Sequence, residues 1–147
     1  MTAGSRAVLT HSEDETAAIG REFGASVDRG AVILLVGDLG AGKTAFARGL
    51  AEGLGIAPQD VSSPTFTIIQ EYRGGRLPLF HVDLYRLNDP REIDDLGLDE
   101  IAQEGVLVIE WAEKLPSRLK RSSSGGLVHV AIEHGEGDQR HVTMTAF

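Results

Sequence analysis

The sequence predicts an α/β fold built on a mainly parallel sheet. Two apolar runs, AVILLV at 31–36 and VLVI at 106–109, lack the alternation of a half-buried strand and read as strands covered on both faces. Stretches with helical spacing of apolar residues separate the strand candidates, the pattern of βα units. The chain has 147 residues, enough for one domain with a sizeable core.

Taken in order, Arg6 to Thr10 reads as a short strand. Ser12 and Glu15 fit a capping box, and Ile19, Phe23 and Val27 follow at helical spacing, which predicts a helix over 12–27. Ala31 to Val36 is the first buried strand. A second helix begins within GKT; Phe46, Leu50 and Leu54 line one face of it, and Gly55 ends it. SSPTF at 62–66 is a loop, followed by an extended segment to Tyr72. RGGR at 73–76 reads as a hairpin turn. Leu77 to Val82 is a strand ending at Asp83. The acidic stretch NDPREIDDLGLDEIAQE predicts one or two short helices, and GVLVIE at 105–110 another buried strand. PSRLKRSSSGG reads as a loop. Leu127 to Glu133 and His141 to Phe147 form an antiparallel pair around GEGDQ. One domain spanning 1–147 is expected, without repeats.

Composition narrows the function. Apolar residues make up 41% and charged residues 24%, ordinary for a globular chain, and there is no cysteine, which removes thiol catalysis and thiolate metal sites. The first residues lack the apolar core of a signal peptide, and no stretch approaches a membrane span, so a cytoplasmic protein is expected. The formal net charge of −8 argues against tight autonomous binding to nucleic acid. SRLKR at 117–121 is the densest basic run and reads as a solvated surface segment.

The chemistry concentrates in VGDLGAGKTAF, residues 36–46. It contains G-x-x-x-x-G-K-T: Gly37, then Asp38, Leu39, Gly40 and Ala41, then Gly42, Lys43 and Thr44. A strand precedes it and a helix follows, the context a P-loop requires. Glycines let the backbone curl so that successive N–H groups face phosphate oxygens, and the helix start adds its free N–H groups and positive dipole end. In such a loop the lysine bridges the β- and γ-phosphates and the threonine hydroxyl serves Mg²⁺. The fold expectation therefore sharpens to a small P-loop NTPase-like domain: a mainly parallel central sheet, added antiparallel strands and helices on both faces.

A phosphate site of this kind also needs an acid at a neighbouring strand end. LFHVD ends on Asp83 and VLVIE on Glu110, and either fits. Asp83 could instead cap the turn DLYRL, and Glu110 could be a solvent-facing strand end. Thr65 in SSPTF sits where a switch-like loop would reach the metal or the γ-phosphate, or it belongs to a proline-fixed turn. His81 shares a strand face with Asp83 and reads more as structural than catalytic. A lone Trp111 is more often core than a ligand platform. There is no guanine-reading N-K-x-D or T-K-x-D and no LSGGQ-like element. The D-x-x-G imitation at 94–97 does not follow a strand.

GDLGAGKT, SPTF, HVDLYRL and IEW, in this order and at these intervals, resemble the TsaE (YjeE) family of tRNA threonylcarbamoyladenosine biosynthesis ATPases. The resemblance covers roughly residues 12–111. It implies a bacterial ATPase using ATP and Mg²⁺, which assists the complex that places threonylcarbamoyl on the adenosine beside the anticodon. By that pattern Gly37 to Thr44 bind the phosphates and Thr44 and Glu110 hold Mg²⁺. Asp83 is needed for hydrolysis, Trp111 lies near the site, and Ser12 and Glu13 approach the adenine. The implied partners are TsaD and TsaB, with tRNA reached indirectly through them. Similar proteins also bring a basic residue near the last hairpin to the nucleotide; that region here reads GEGDQRH, which leaves Arg140 an open candidate. Two other functions compete: a small-molecule phosphotransferase, for which no acceptor pocket or arginine lid is evident, and a non-hydrolysing ATP switch module.

Overall fold

The structure is a computed structural model, and it describes residues 4–37, 42–57, 69–115 and 126–146. Seven strands form one sheet: β1 (Gly4–Thr10), β2 (Val32–Gly37), β3 (Ile69–Tyr72), β4 (Leu79–Asp83), β5 (Val106–Glu110), β6 (Leu127–His134) and β7 (Arg140–Ala146). Their order across the sheet is β1-β7-β6-β2-β5-β4-β3. The central four, β6, β2, β5 and β4, run parallel. β3 adds antiparallel to β4, and β7 and β1 extend the other edge antiparallel. The P-loop strand β2 and the acid-bearing strands β5 and β4 are therefore consecutive, and their carboxyl ends share one edge. Ligands of α/β sheets bind at that edge.

Each face carries helices. α1 (Glu13–Ser26) and α2 (Lys43–Gly53) cover one, above a core that includes Ile33, Leu35, Phe46, Leu50, Leu79, Val108 and Ile132. The short helices α3 (Pro90–Asp94) and α4 (Leu98–Ala102) cover the other, with a 3-10 turn at Ala112–Lys114, over Val32, Leu34, Phe80, Val82, Leu107 and Ile109. Alternate residues of β2, β4 and β5 thus feed opposite cores, which is why these strands are apolar without alternation. The acidic stretch becomes two helices with D-x-x-G between them.

The predicted helix over 12–27 spans Glu13–Ser26, with Ser12 as its cap: the Ser12 hydroxyl accepts from the Glu15 amide at 3.1 Å. Glu15 reaches back one residue further than a capping box requires, accepting from the His11 amide at 3.0 Å. The helix has no basic residue in its last turn; Arg76 from the β3–β4 hairpin serves instead, donating to the carbonyls of Gly24 and Val27.

The contact between α1 and α2 positions the site. Gly20 and Gly24 on α1 face Gly49 and Gly53 on α2. A Cβ on Gly49 would lie 1.9 Å from the Ala17 carbonyl oxygen, one on Gly53 2.3 Å from that of Arg21, and one on Gly20 2.3 Å from that of Phe46. Backbone meets backbone, as at small-residue helix interfaces. Residue numbers rise together along both helices, Ala17 against Gly49 and Arg21 against Gly53, so the helices run in the same direction. Their N-termini, Ser12 and Gly42, consequently open side by side, and both positive dipole ends point to one place.

Candidate functional site

Gly37 closes β2 with φ +149°, and Gly42 opens α2 with φ +109°. A side chain is strained in either conformation, and at Gly37 a Cβ would also lie 2.2 Å from the Ile132 carbonyl oxygen of β6. Both ends of the loop therefore demand the glycines that the motif supplies. Asp38, Leu39, Gly40 and Ala41 between them lie outside the described residues, as do Thr65 with its SSPTF segment and the basic run at 117–121.

Lys43 is buried, in the first turn of α2. A buried ammonium needs compensation. Its Nζ donates to the Gly37 carbonyl at 2.9 Å and lies 4.1 Å from the centre of the Trp111 ring. Trp111 is the only described residue other than glycine with positive φ, at 60°. That backbone costs about 1–3 kcal/mol in such positions; the indole that follows from it packs on the core of the α3–α4 face and lies under the lysine. The Tyr85 ring also packs on the indole, 5.0 Å between centroids and tilted by 47°. Lys114 braces the loop that carries Tyr85, donating to the carbonyls of Tyr85 and Leu87 at 2.6 and 3.1 Å and to Asn88 Oδ1 at 3.3 Å. Trp111 is thus partly buried: it packs against the core of the α3–α4 face and also meets the lysine with its ring.

The two candidate acids meet. Asp83 and Glu110 are direct neighbours in the parallel β4–β5 register, and Leu35 of the P-loop strand lies across from Glu110 on the other side. Asp83 does act as a turn cap, since its Oδ1 accepts from the Tyr85 amide at 2.9 Å. Its second role is electrostatic. Burial pushes its carboxyl above the ordinary aspartate range and the charge of Glu110 pushes the same way, against the Tyr85 N–H bond and the charges of His81 and Lys43. Glu110 is not a solvent-facing strand end. It is 4% exposed, and its Oε2 lies 2.5 Å from Nε2 of His81, itself fully buried. With the proton on Nε2 the imidazole donates to the carboxylate; Nδ1 meets no partner among the described residues.

Thr44 is half-buried in the same helical turn as Lys43, and Asp83 and Glu110 end adjacent strands. Hard oxygen donors of this kind are the type that suits Mg²⁺, and the two acids are direct neighbours in the β4–β5 register.

Beyond Gly42 a cavity of about 430 Å³ opens between the two helix N-termini, lined by His11, Ser12, Glu13, Asp14, Thr16, Gly42, Asp138 and Arg140. The structure thus brings Arg140 of the last hairpin to Ser12 and Glu13. Its Nη1 donates to the carbonyls of Gly137 and Gln139. The residues that sequence reasoning missed here are His11, Asp14, Thr16 and Asp138. Thr16 is buried on Thr10 with 2.8 Å between hydroxyl oxygens, and only the parallel helix pairing brings it to the cavity.

Comparison with known proteins identifies the family. The family model "Threonylcarbamoyl adenosine biosynthesis protein TsaE" covers residues 10–142. The chain belongs to the TsaE family. It is 46% identical over 138 residues to the tRNA threonylcarbamoyladenosine biosynthesis protein TsaE of Bacillus subtilis, covering 93% of this chain and 83% of that protein. It is 40% identical over 146 residues to the TsaE of a Nostoc species, covering 95% and 85%. The crystal structure of Bacillus subtilis YdiB superposes with a TM-score of 0.74 at 37% identity, covering 99% of this chain and 88% of that one. The match extends through the C-terminal hairpin, well past Trp111, where the family resemblance of the motifs ends. No described helix is long and apolar enough to cross a membrane.

Proposed function

We propose that this chain is a Mg²⁺-dependent P-loop ATPase of the cytoplasm that assists threonylcarbamoyl transfer to the adenosine beside the anticodon of tRNA. It acts with TsaD- and TsaB-type proteins, and through them it reaches tRNA. The observation that carries the ATPase reading is the convergence of three charged groups on one sheet edge: Lys43 at the start of α2, and Asp83 and Glu110 in register on adjacent strands.

The roles follow from position. Lys43 leaves the Gly37 carbonyl and the indole face to meet the β- and γ-phosphates, while the amides from Gly37 to Thr44 cradle them. Thr44 and Glu110 would hold the Mg²⁺, which when bound offsets phosphate charge and orients the transferred group. Asp83, the more basic for its burial, takes a proton from the attacking water as the bond between the γ-phosphorus and the ADP oxygen breaks. The base lies in the cavity beside Ser12 and Glu13, where carboxylates can accept from an exocyclic amine, and Arg140 closes its far wall. Arg86, three residues beyond Asp83, is exposed and leaves the arginine of the transition state to a partner, so the isolated protein turns over slowly.

The test is ATP hydrolysis by the purified protein alone, with TsaD- and TsaB-type proteins, and with small hydroxyl or amine acceptors. Stimulation by the partners alone supports the proposal. Phosphate transfer to an acceptor would make it a phosphotransferase, and binding without single-turnover hydrolysis a switch module.

A further inference from the structure

We infer that His81 is a positioning residue: through Nε2 it fixes the carboxylate of Glu110 in the orientation that takes a divalent cation. The inference rests on the proposed Mg²⁺-ATP site and deepens it.

Leu79, His81 and Asp83 occupy one face of β4, the face turned toward α1 and α2, and Leu79 belongs to the core beneath them. At the middle of the three, an aliphatic side chain would pack on that core without an unpaired nitrogen, but it would leave the buried Glu110 carboxylate without this donor. The chain instead places an imidazole there at zero exposure and leaves its Nδ1 without a partner among the described residues. Buried polar groups are otherwise satisfied, and replacing both members of a buried polar pair by apolar residues is often neutral or stabilising, so a core needs neither. Core packing alone therefore does not account for His81.

The hydrogen bond it makes does. Glu110 is the last residue of β5, beyond which the chain turns sharply at Trp111. The carboxylate is carried on rotatable side-chain bonds. The 2.5 Å contact from Nε2 to Oε2 holds one of its oxygens and so restricts the orientations open to the group. Losing a partner that orients a ligand's carboxylate or imidazole in this way typically lowers metal affinity about 10–100-fold. One strand thus supplies both an acid of the site, Asp83, and the brace for the acid on the neighbouring strand.

The experiment measures ATP affinity by calorimetry twice for each protein, with Mg²⁺ and with EDTA. His81→Phe keeps a ring and loses the donor. It should bind metal-free ATP within about twofold of wild type and lose about tenfold or more of the Mg²⁺-dependent gain. His81→Gln, whose amide nitrogen can reach the place of Nε2, should restore most of that gain. Where the Phe variant does not fold, His81→Asn replaces it; its amide is too short to reach Glu110, and the same metal-specific loss is expected. Equal losses with and without Mg²⁺, an intact Mg²⁺ gain in the Phe variant, or failure of both the Phe and Asn variants to fold would overturn the inference and assign His81 to the core. A wild-type protein that gains nothing from Mg²⁺ would instead remove the proposed function, and this inference with it.

Discussion

Asp83 and Glu110 stand side by side on the last rungs of two adjacent parallel strands, so two carboxylates share the sheet edge next to Lys43. Asp83 is the one whose carboxyl is raised, by burial first and by Glu110 second. A carboxyl with a folded-state pKa above its unfolded value costs stability once pH has risen through that window, and costs none below the unfolded value, where both states are protonated. Asp83→Asn keeps the oxygen that accepts from the Tyr85 amide. It should melt higher than wild type near neutral pH, and the difference should vanish below about pH 3.9. Hydrolysis should fall about a hundredfold, the contribution of a general base, with ATP binding retained. Melting curves across pH and a phosphate-release assay check both halves; normal hydrolysis by the variant would remove Asp83 from catalysis.

Lys43 rests on the Gly37 carbonyl and on the face of Trp111, the only tryptophan in the chain. On the proposed reading, phosphate draws the ammonium away from the indole. Mg²⁺-ATP should therefore change the emission of Trp111 in the wild type. Lys43→Ala should lose about 1.5–3 kcal/mol of binding, the worth of a charge-assisted hydrogen bond. An unchanged emission spectrum at saturating ATP, or equal calorimetric affinity in the two proteins, contradicts this placement of the lysine.

The pairing of Ala17 with Gly49 holds the two helix N-termini together. Gly49→Ala puts a methyl into the space of the Ala17 carbonyl, and the helices must separate. The expected cost is about 1–3 kcal/mol, which in a chain of this size lowers the melting temperature by about 2–4 °C per kcal/mol. ATP affinity should fall as well, because the wall formed by Ser12 and Glu13 moves away from Gly42. A substitution that is silent in calorimetry would show that helix spacing does not set the nucleotide site.

The fold was legible because its signals are local. AVILLV and VLVI could only be strands covered on both faces, Ser12 could only cap what followed, and the motif fixed a strand-loop-helix unit. Element ends moved by a residue or two: the P-loop strand is Val32–Gly37 rather than 31–36, and α1 starts at Glu13 after its cap. The site was legible as a set of residues and not as an arrangement. His81 looked structural because its partner is 29 positions away and the link depends on which strands are neighbours. The platform role of Trp111 depends on a left-handed backbone that no composition announces. The four interfacial glycines carry a signal that could have been read, two Gly-x-x-x-Gly pairs on consecutive helices, but helix direction and proximity to the loop are properties of the packed chain.

Charge predicts how the protein meets RNA. With 22 acidic and 14 basic side chains the long-range field repels a polyanion, and Lys43 is committed to the loop. In a fluorescence titration with unmodified tRNA at physiological salt, with ATP and without partners, the dissociation constant should be weaker than about 1 μM. Tighter binding would point to a basic surface on this chain that reaches tRNA unaided.

The central claim is that this nucleotide site serves modification of the adenosine beside the anticodon. It is tested most directly by nucleoside analysis of tRNA from cells in which the protein is depleted and then restored as wild type or as Lys43→Ala. The expected result is loss of threonylcarbamoyladenosine on depletion, recovery with the wild type, and no recovery with Lys43→Ala expressed at the same level. Full modification in depleted cells, or full recovery with the variant, would contradict it.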